Sequence, residues 1–575
     1  MAISVHSRWG PPLEQYVLRY DQTSVRGREE IEDEIMSSAL GCVRVITTLS
    51  NEADEIKFES SAGKVTLEML RCLWLLSSSR QGVLYLAQPP LIRGCLRLMK
   101  LVKVNGVISP FSYEYGYLCF NISKMALGVC LIEKFHRQHV ADLMEHIWSN
   151  YLTKDNASIL AELLVYLFTE EDKKHIQQSP RCDWIFGWSD PPAHGGHPKL
   201  IIAGSDALDL MDVLWNDRKA FLKSLSLAYT PGSSIMLFAI WQYMYRKGVL
   251  LKPVSRTPVL DTFLDLTWRF MLITTPGDYG LMFPIIMAAM LHSGKLAESA
   301  VDVEDSRNII DAYVRGMAPA EDPLLYRQVS SAAYPLLLRF VERTLLPGTE
   351  DLYHGIVKSM LSRLWDMVSW GRLDATISPV GAIELGLKDL LVFLRIHAQG
   401  LGPRSPVMQA IIEELADKDI LGLIGYSIHQ LCPTKDAEPN PQKGYSDLNE
   451  CMTFRDTALS MLTALNQASS SSVIPSYFST YGEEWVKHLQ YNDILLQMVG
   501  DSENARSYVK FRREVLWDVI RKIPRGLHIH GCGVRHARPR LGVLIIVARD
   551  VKFWTGKVEA NGRIGNCAQD QIDLQ

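Results

Sequence analysis

The chain reads as an all-α protein, and three observations predict it. Apolar residues recur at three- and four-residue steps through most of its 575 residues. Gly, Pro and short polar turns break these periods at helix-length intervals. Strand-like character stands out in a single stretch, LGVLIIVA at 541–548. With 47% apolar residues and thirteen Trp, the chain has the material for a large core, which excludes the disordered class. A net charge of −4 supplies no global field for nucleic acid or an acidic surface.

The opening MAISVHSRWGPPLEQYV lacks the basic flank and apolar run of a secretory signal. Next, VTLEMLRCLWLLSSSRQGVLYLAQPPLIRGCLRLMKLV predicts a helix over 65–76, a Ser-rich turn, a short helix over 83–87, and a Pro-marked turn into a third helix. Such a unit cannot bury its apolar faces alone and must stack on neighbours, which resembles a layer of an armadillo/HEAT-like helical array, a superhelix. ASILAELLVYLFTEEDKK and PVMQAIIEELADKDILGLIGYSIHQL read as similar layers, although no sequence repeat of fixed period is present.

Two windows, SIMLFAIWQYMY and GLMFPIIMAAML, are the most apolar, yet both are shorter than the roughly 18 residues a membrane span needs. They read as buried core helices. In DLYHGIVKSMLSRLWDMVSW, Tyr353, Ile356, Met360, Leu364, Met367 and Val368 fall on one stripe. GAIELGLKDLLVFLRIHAQG repeats the pattern through Ile383, Leu387, Leu390, Leu391 and Leu394, with Gly400 as the stop. ARSYVKFRREVLWDVIRK is the last clear helix, ending near Pro524. The organisation expected is a helical array over 1–432 with a Trp/Pro/His-rich loop at about 181–200. A linker at 433–447, further helices of the array over 448–523, and a tail over 524–575 follow. NQASSSSVIPS forms a shorter polar break.

Motifs for chemistry are sparse. The ten cysteines occur singly with no C-x2-C pair, and Cys42, Cys72, Cys95, Cys119 and Cys130 sit inside apolar helical periods. Reduced thiols in the cytoplasm or nucleus are expected. His194 and His197 in AHGGHP, near Cys182, Asp183 and Asp190, invite a metal, but H-x2-H on a Gly/Pro loop lacks a full ligand set. EEDKKH at 170–175 pairs carboxylates at the polar end of a helix, where a solvated charge run is the ordinary explanation. Nucleophile-elbow, Walker, dinucleotide and zincin motifs are missing from the sequence. YGEEW at 481–485 has a faint likeness to an acidic motif of SET-type methyltransferases, without their Asn-His-Ser cofactor signature. No catalytic residue is therefore assigned. An enzyme using the 184–198 loop is the alternative to a binding protein.

The tail raises a separate question. His528, His530, Cys532, His536 and Cys567 are candidate zinc ligands, but their spacing as written matches no standard finger. Joining the third base of each codon to the first two of the next gives a different text. The junction Ile545/Ile546 permits Tyr, Ile546/Val547 permits Cys, and Asp550/Val551 permits only Cys or Arg. Val551/Lys552 permits Gln, Phe553/Trp554 forces Leu, Trp554/Thr555 forces Asp, and Thr555/Gly556 permits Trp. Arg563/Ile564 permits His, and Cys567/Ala568 gives Cys or Arg.

The shifted reading Y-C-x3-C-Q-x-L-D-W-x7-H-x3-C resembles the second half of a MYND-type zinc finger. With the helical body, it resembles a family of fungal proteins of that layout. The resemblance implies zinc as cofactor, if the finger is intact in the true product, and proline-containing peptides as ligands. In the written frame no cofactor is expected, and 541–575 is expected to be poorly packed. RHARPR alone supplies only salt-sensitive contact with nucleic acid, so no nucleic-acid partner is expected. No membrane or small-molecule partner is expected either. The function expected is a non-enzymatic protein–protein interaction scaffold.

Overall fold

A computed structural model describes residues 4–20, 31–79, 82–135, 155–175, 184–188, 200–248, 257–275, 278–292, 301–317, 334–370, 379–398, 405–430, 441–468, 481–498 and 503–522. The fold is all-α. The chain divides into two compact units, Met1–Phe393 and Leu394–Gln575.

The first unit begins with a short helix, α1 (Leu13–Tyr16), continued as a 3-10 turn. Helices α2 (Asp33–Leu49), α3 (Glu55–Ala62), α4 (Leu67–Ser78) and α5 (Pro89–Leu101) follow. Local chemistry places their starts. Asp54 accepts from the amides of Ile56 and Lys57, Thr66 accepts from Met69 N, and Pro89 opens α5, where its missing N–H costs nothing. The 3-10 turn Gly82–Leu86 lies between α4 and α5, which reproduces the helix, turn, short helix, helix order expected over 65–101. Helix α2 packs on α4 and α5. Gly94 allows the closest approach, because a Cβ there would sit 2.4 Å from the Ile46 carbonyl oxygen of α2.

An Asn-Gly turn closes a two-stranded hairpin, β1 (Lys103–Val104) and β2 (Val107–Ile108). Asn105 and Gly106 both have positive φ, 52° and 81°, as a type I′ turn requires. The helical periods conceal this hairpin because its strands are too short to show alternation.

Helix α6 (Glu114–Phe135) is the centre of the unit, packed by α4, α5, α7 (Asn156–His175) and later α10. It has apolar residues all round and is surrounded all round, so it lacks a polar stripe. Leu118, Ile122, Leu127 and Leu131 are fully buried, each stabilising by about 2 kcal/mol. Among the described residues it is the one helix long and apolar enough to cross a membrane, and its apolar window is wholly buried in the fold. Its first turn is held by two side chains. Glu114 accepts from Tyr20 Oη at 2.7 Å and from Arg71 Nε and Nη2 at 2.9 and 2.7 Å. A carboxylate at a helix N-terminus also meets the positive end of the helix dipole. Tyr16 Oη ties the N-terminal segment to the Phe111 carbonyl at 2.6 Å.

The unit continues with α8 (Gly204–Asn216), α9 (Arg218–Leu227), α10 (Ser234–Arg246), α11 (Pro258–Met271) and α12 (Tyr279–His292). It closes with α13 (Val303–Met317), α14 (Tyr334–Thr344), α15 (Tyr353–Trp370) and α16 (Pro379–Phe393). Some packing partners are near neighbours in chain order, α8 with α10, α10 with α12, α13 with α14 and α15, and α15 with α16, whereas α9 packs on α13, α12 on α7 and α8 on α5. The stripe read from the sequence is the buried one, since Tyr353, Ile356, Met360, Leu364 and Met367 of α15 and Ile383, Leu387, Leu390 and Leu391 of α16 are all core.

The second unit opens on a π-helical turn, Leu394–Ala398, then α17 (Pro406–Asp417) and α18 (Ile420–Gln430). Three longer helices follow, α19 (Pro441–Ala468), α20 (Tyr481–Met498) and α21 (Glu503–Lys522). Helix α21 packs on α18, α19 and α20. The expected linker at 433–447 thus carries the first turns of α19 from Pro441 onward. Proline is compatible with that position because the first helical N–H has no acceptor in any case. Gly400, residues 469–480 and the whole of 523–575 lie outside the described residues.

Candidate functional site

The metal candidates His194, His197, His528, His530, Cys532, His536 and Cys567 all lie outside the described residues, as do Cys182, Asp183 and Asp190. Of the Trp-rich loop, 184–188 is described, and it is an anchor. Ile185 and Phe186 are fully buried, and Ile201 N donates to the Phe186 carbonyl at 3.0 Å. Trp188 stacks on Phe186 and donates from Nε1 to the Ile202 carbonyl at 2.6 Å. Among the described residues no group of three or more His, Cys, Asp or Glu is arranged to hold a metal ion.

Several buried polar groups gather from elements distant in sequence, and each is tied into the packing. Lys124, midway along α6, is fully buried and donates from Nζ to the Pro231 carbonyl at 2.7 Å. Burial lowers its pKa to about 8, against the pull of Asp278 and Asp155. Asp278 in turn accepts from Ser234 N, and Asp155 from Ser158 and Tyr229. Asp217 accepts from Ser109 Oγ and Phe111 N at 2.5 and 2.7 Å, and burial pushes its pKa up to about 7. Arg269 bridges Asp265 and Asp305 with all three side chains nearly inaccessible. Lys124 has a sequence signal in hindsight, a lysine inside an apolar run too long to have a wet face.

Thiols gather as well. Cys42, Cys95 and Cys119 come from α2, α5 and α6 into one core region, and burial pushes the Cys42 and Cys119 thiols up. That burial disfavours the thiolate of Cys42 and Cys119, which behave as the small apolar residues their helical positions suggested.

In the second unit, His429 of α18 and His488 of α20 meet ring to ring, with Nε2 of the first 2.8 Å from Nδ1 of the second. Asn492 Nδ2 lies 3.4 Å from His429 Nδ1 and donates to the His488 carbonyl at 3.1 Å. An amide nitrogen only donates, so His429 Nδ1 accepts and its Nε2 carries the hydrogen given to His488. Arg512 of α21 donates to the His429 carbonyl at 3.1 Å. Burial, then His488, then Arg512 lower the His429 pKa to about 3. The two histidines are 59 residues apart, and nothing in the sequence pairs them.

The surface offers one further feature. The apolar window GLMFPIIMAAML at 280–291 was expected to form a buried core helix, yet only part of it is buried. Leu281, Met282, Ile285 and Ile286 are buried, while Phe283 is 47% and Met287 45% exposed. With Tyr279 one turn earlier, they run in a line along α12 at four-residue steps. Helix α7 packs beside α12, where a Cβ on Gly280 would meet Val165 at 2.6 Å, and the adjacent Tyr166 is 54% exposed. Helix α12 carries no charged residue, so its sequence contains no cue to which side is left uncovered. No family model, curated protein or solved structure matched the chain.

Proposed function

We propose that this chain is a non-enzymatic protein-interaction scaffold, its helices stacked as an armadillo/HEAT-like array, that docks a protein partner on the face formed by α12 and α7. The observation that carries the reading is the exposed apolar line of Phe283 and Met287 with Tyr166 on the neighbouring helix. Large apolar side chains left in water in this way mark contact surfaces. The packing of α13 with α14 and α15, and of α15 with α16, supports array-like stacking over 303–393, since stacked units bury their faces on immediate neighbours. The zinc finger suggested by the shifted reading of 541–575 would add a second, metal-dependent peptide-docking module.

The test places a photo-crosslinking amino acid at Met287 of the full chain and asks for a discrete protein adduct. A second chain carries the same crosslinker with Phe283→Ser. An adduct that disappears with Phe283→Ser, while the circular dichroism is unchanged, supports docking here. An adduct pattern indifferent to Phe283→Ser, or none at all, refutes it. Sequencing the transcript across the codons for 526–575 decides the finger separately.

A further inference from the structure

We propose that Glu342 of α14 and Asp389 of α16 share one proton, making this helix contact a latch that weakens as the solution turns alkaline. Helices α14 and α16 pack directly. Glu342 Oε1 and Asp389 Oδ2 are both closed to solvent and have no hydrogen-bond partner. Asp389 is only 2% exposed, and its other oxygen, Oδ1, accepts from Arg339 Nε and Nη2 at 3.0 and 2.9 Å. Arg339 therefore serves one edge of Asp389 and leaves the other edge bare.

Two buried acceptors without donors are costly, and two neighbouring carboxylates repel each other as well. A single proton removes both deficits. Carried by Glu342, it makes that side chain a donor to Asp389 Oδ2, while Arg339 keeps the charge on Asp389. The other groups acting on the pair are Arg343 of α14, Lys388 and Glu384 of α16, and Tyr313 of α13. Helix α11 also packs on α14, but its Asp265 and Arg269 are engaged with Asp305; its remaining acid is Asp261, in the first turn.

Burial, then the Asp389 charge, push Glu342 up to about 8 from an ordinary 4.5, with Arg339 and Arg343 pulling the other way. The native state thus holds a proton that the unfolded chain releases. That contribution is complete below pH 4.5 and is lost as pH rises through about 8.

Glu342→Gln supplies a permanent amide donor in place of the proton. In the full chain, the melting temperature of E342Q should match wild type at about pH 5 and exceed it at about pH 8.5. The wild-type minus E342Q infrared difference spectrum should also show, at neutral pH, the carbonyl band of a protonated carboxylic acid, lost on alkaline titration, because the band of Asp217 is common to both proteins and cancels. A folded E342Q no more stable than wild type at about pH 8.5 overturns the proposal. So does a difference spectrum without that band, and a wild-type spectrum without any acid band decides the matter even if E342Q fails to fold.

Discussion

Acid should loosen the second helical unit through His429. Protonating that ring puts a second N–H at Nδ1, against the Asn492 amide donor, and a positive charge beside His488 and Arg512. In an unfolded chain the ring takes its proton near pH 6.5, and in the fold only near pH 3. Between those values the unfolded state binds the extra proton, so falling pH favours unfolding. The stability is complete above pH 6.5 and is lost progressively as pH drops toward 3. Each pH unit is worth about 1.4 kcal/mol, so a drop to about pH 5 costs about 2 kcal/mol. Because the chain has two units, a single global melt does not isolate this term. Hydrogen exchange read on peptides from α18, α20 and α21 does. Protection there, corrected for the intrinsic rate, should fall about 15-fold between pH 6.5 and about 5. In His429→Gln, whose amide can still donate toward His488, the fall should vanish. Unchanged protection in wild type, or an equal fall in His429→Gln, would refute the assignment of the effect to this ring.

Two substitutions test the first unit. Gly94→Ala drives a methyl to 2.4 Å from the Ile46 carbonyl, a backbone atom that cannot step aside, and should cost about 1–3 kcal/mol by forcing α5 away from α2. A denaturant midpoint equal to wild type would show that the helices separate freely. Asp305→Ala leaves the inaccessible Arg269 with Asp265 as its remaining carboxylate and should cost about 3 kcal/mol in chemical denaturation, since a buried charge loses its partner.

How much of this was legible beforehand follows from which forces are local. The helices around 65–101 were readable because Thr66, the Ser-rich turn and Pro89 act on their own neighbours. The α15 and α16 stripes were readable because a 3.6-residue period must turn one face to the core. The Asn105–Gly106 hairpin left a two-residue signal that the surrounding helices overwhelmed. Of the candidate site, very little was visible. A helix apolar on all sides, such as α12, has no period that tells its wet side from its dry one.

By itself, then, the sequence determined that the chain is helical, where many helices start, and which stripe each amphipathic helix buries, because those depend on dihedral preferences and on contacts within one or two turns. Only the tertiary structure decided that α6 is enclosed on every side, that Phe283 and Met287 are left in water, and that His429 meets His488. It also decided that Glu342 Oε1 and Asp389 Oδ2 are each closed to water without a donor. Burial, and the protonation that follows from it, depend on which distant helix arrives at a given face, and no local periodicity encodes that arrival.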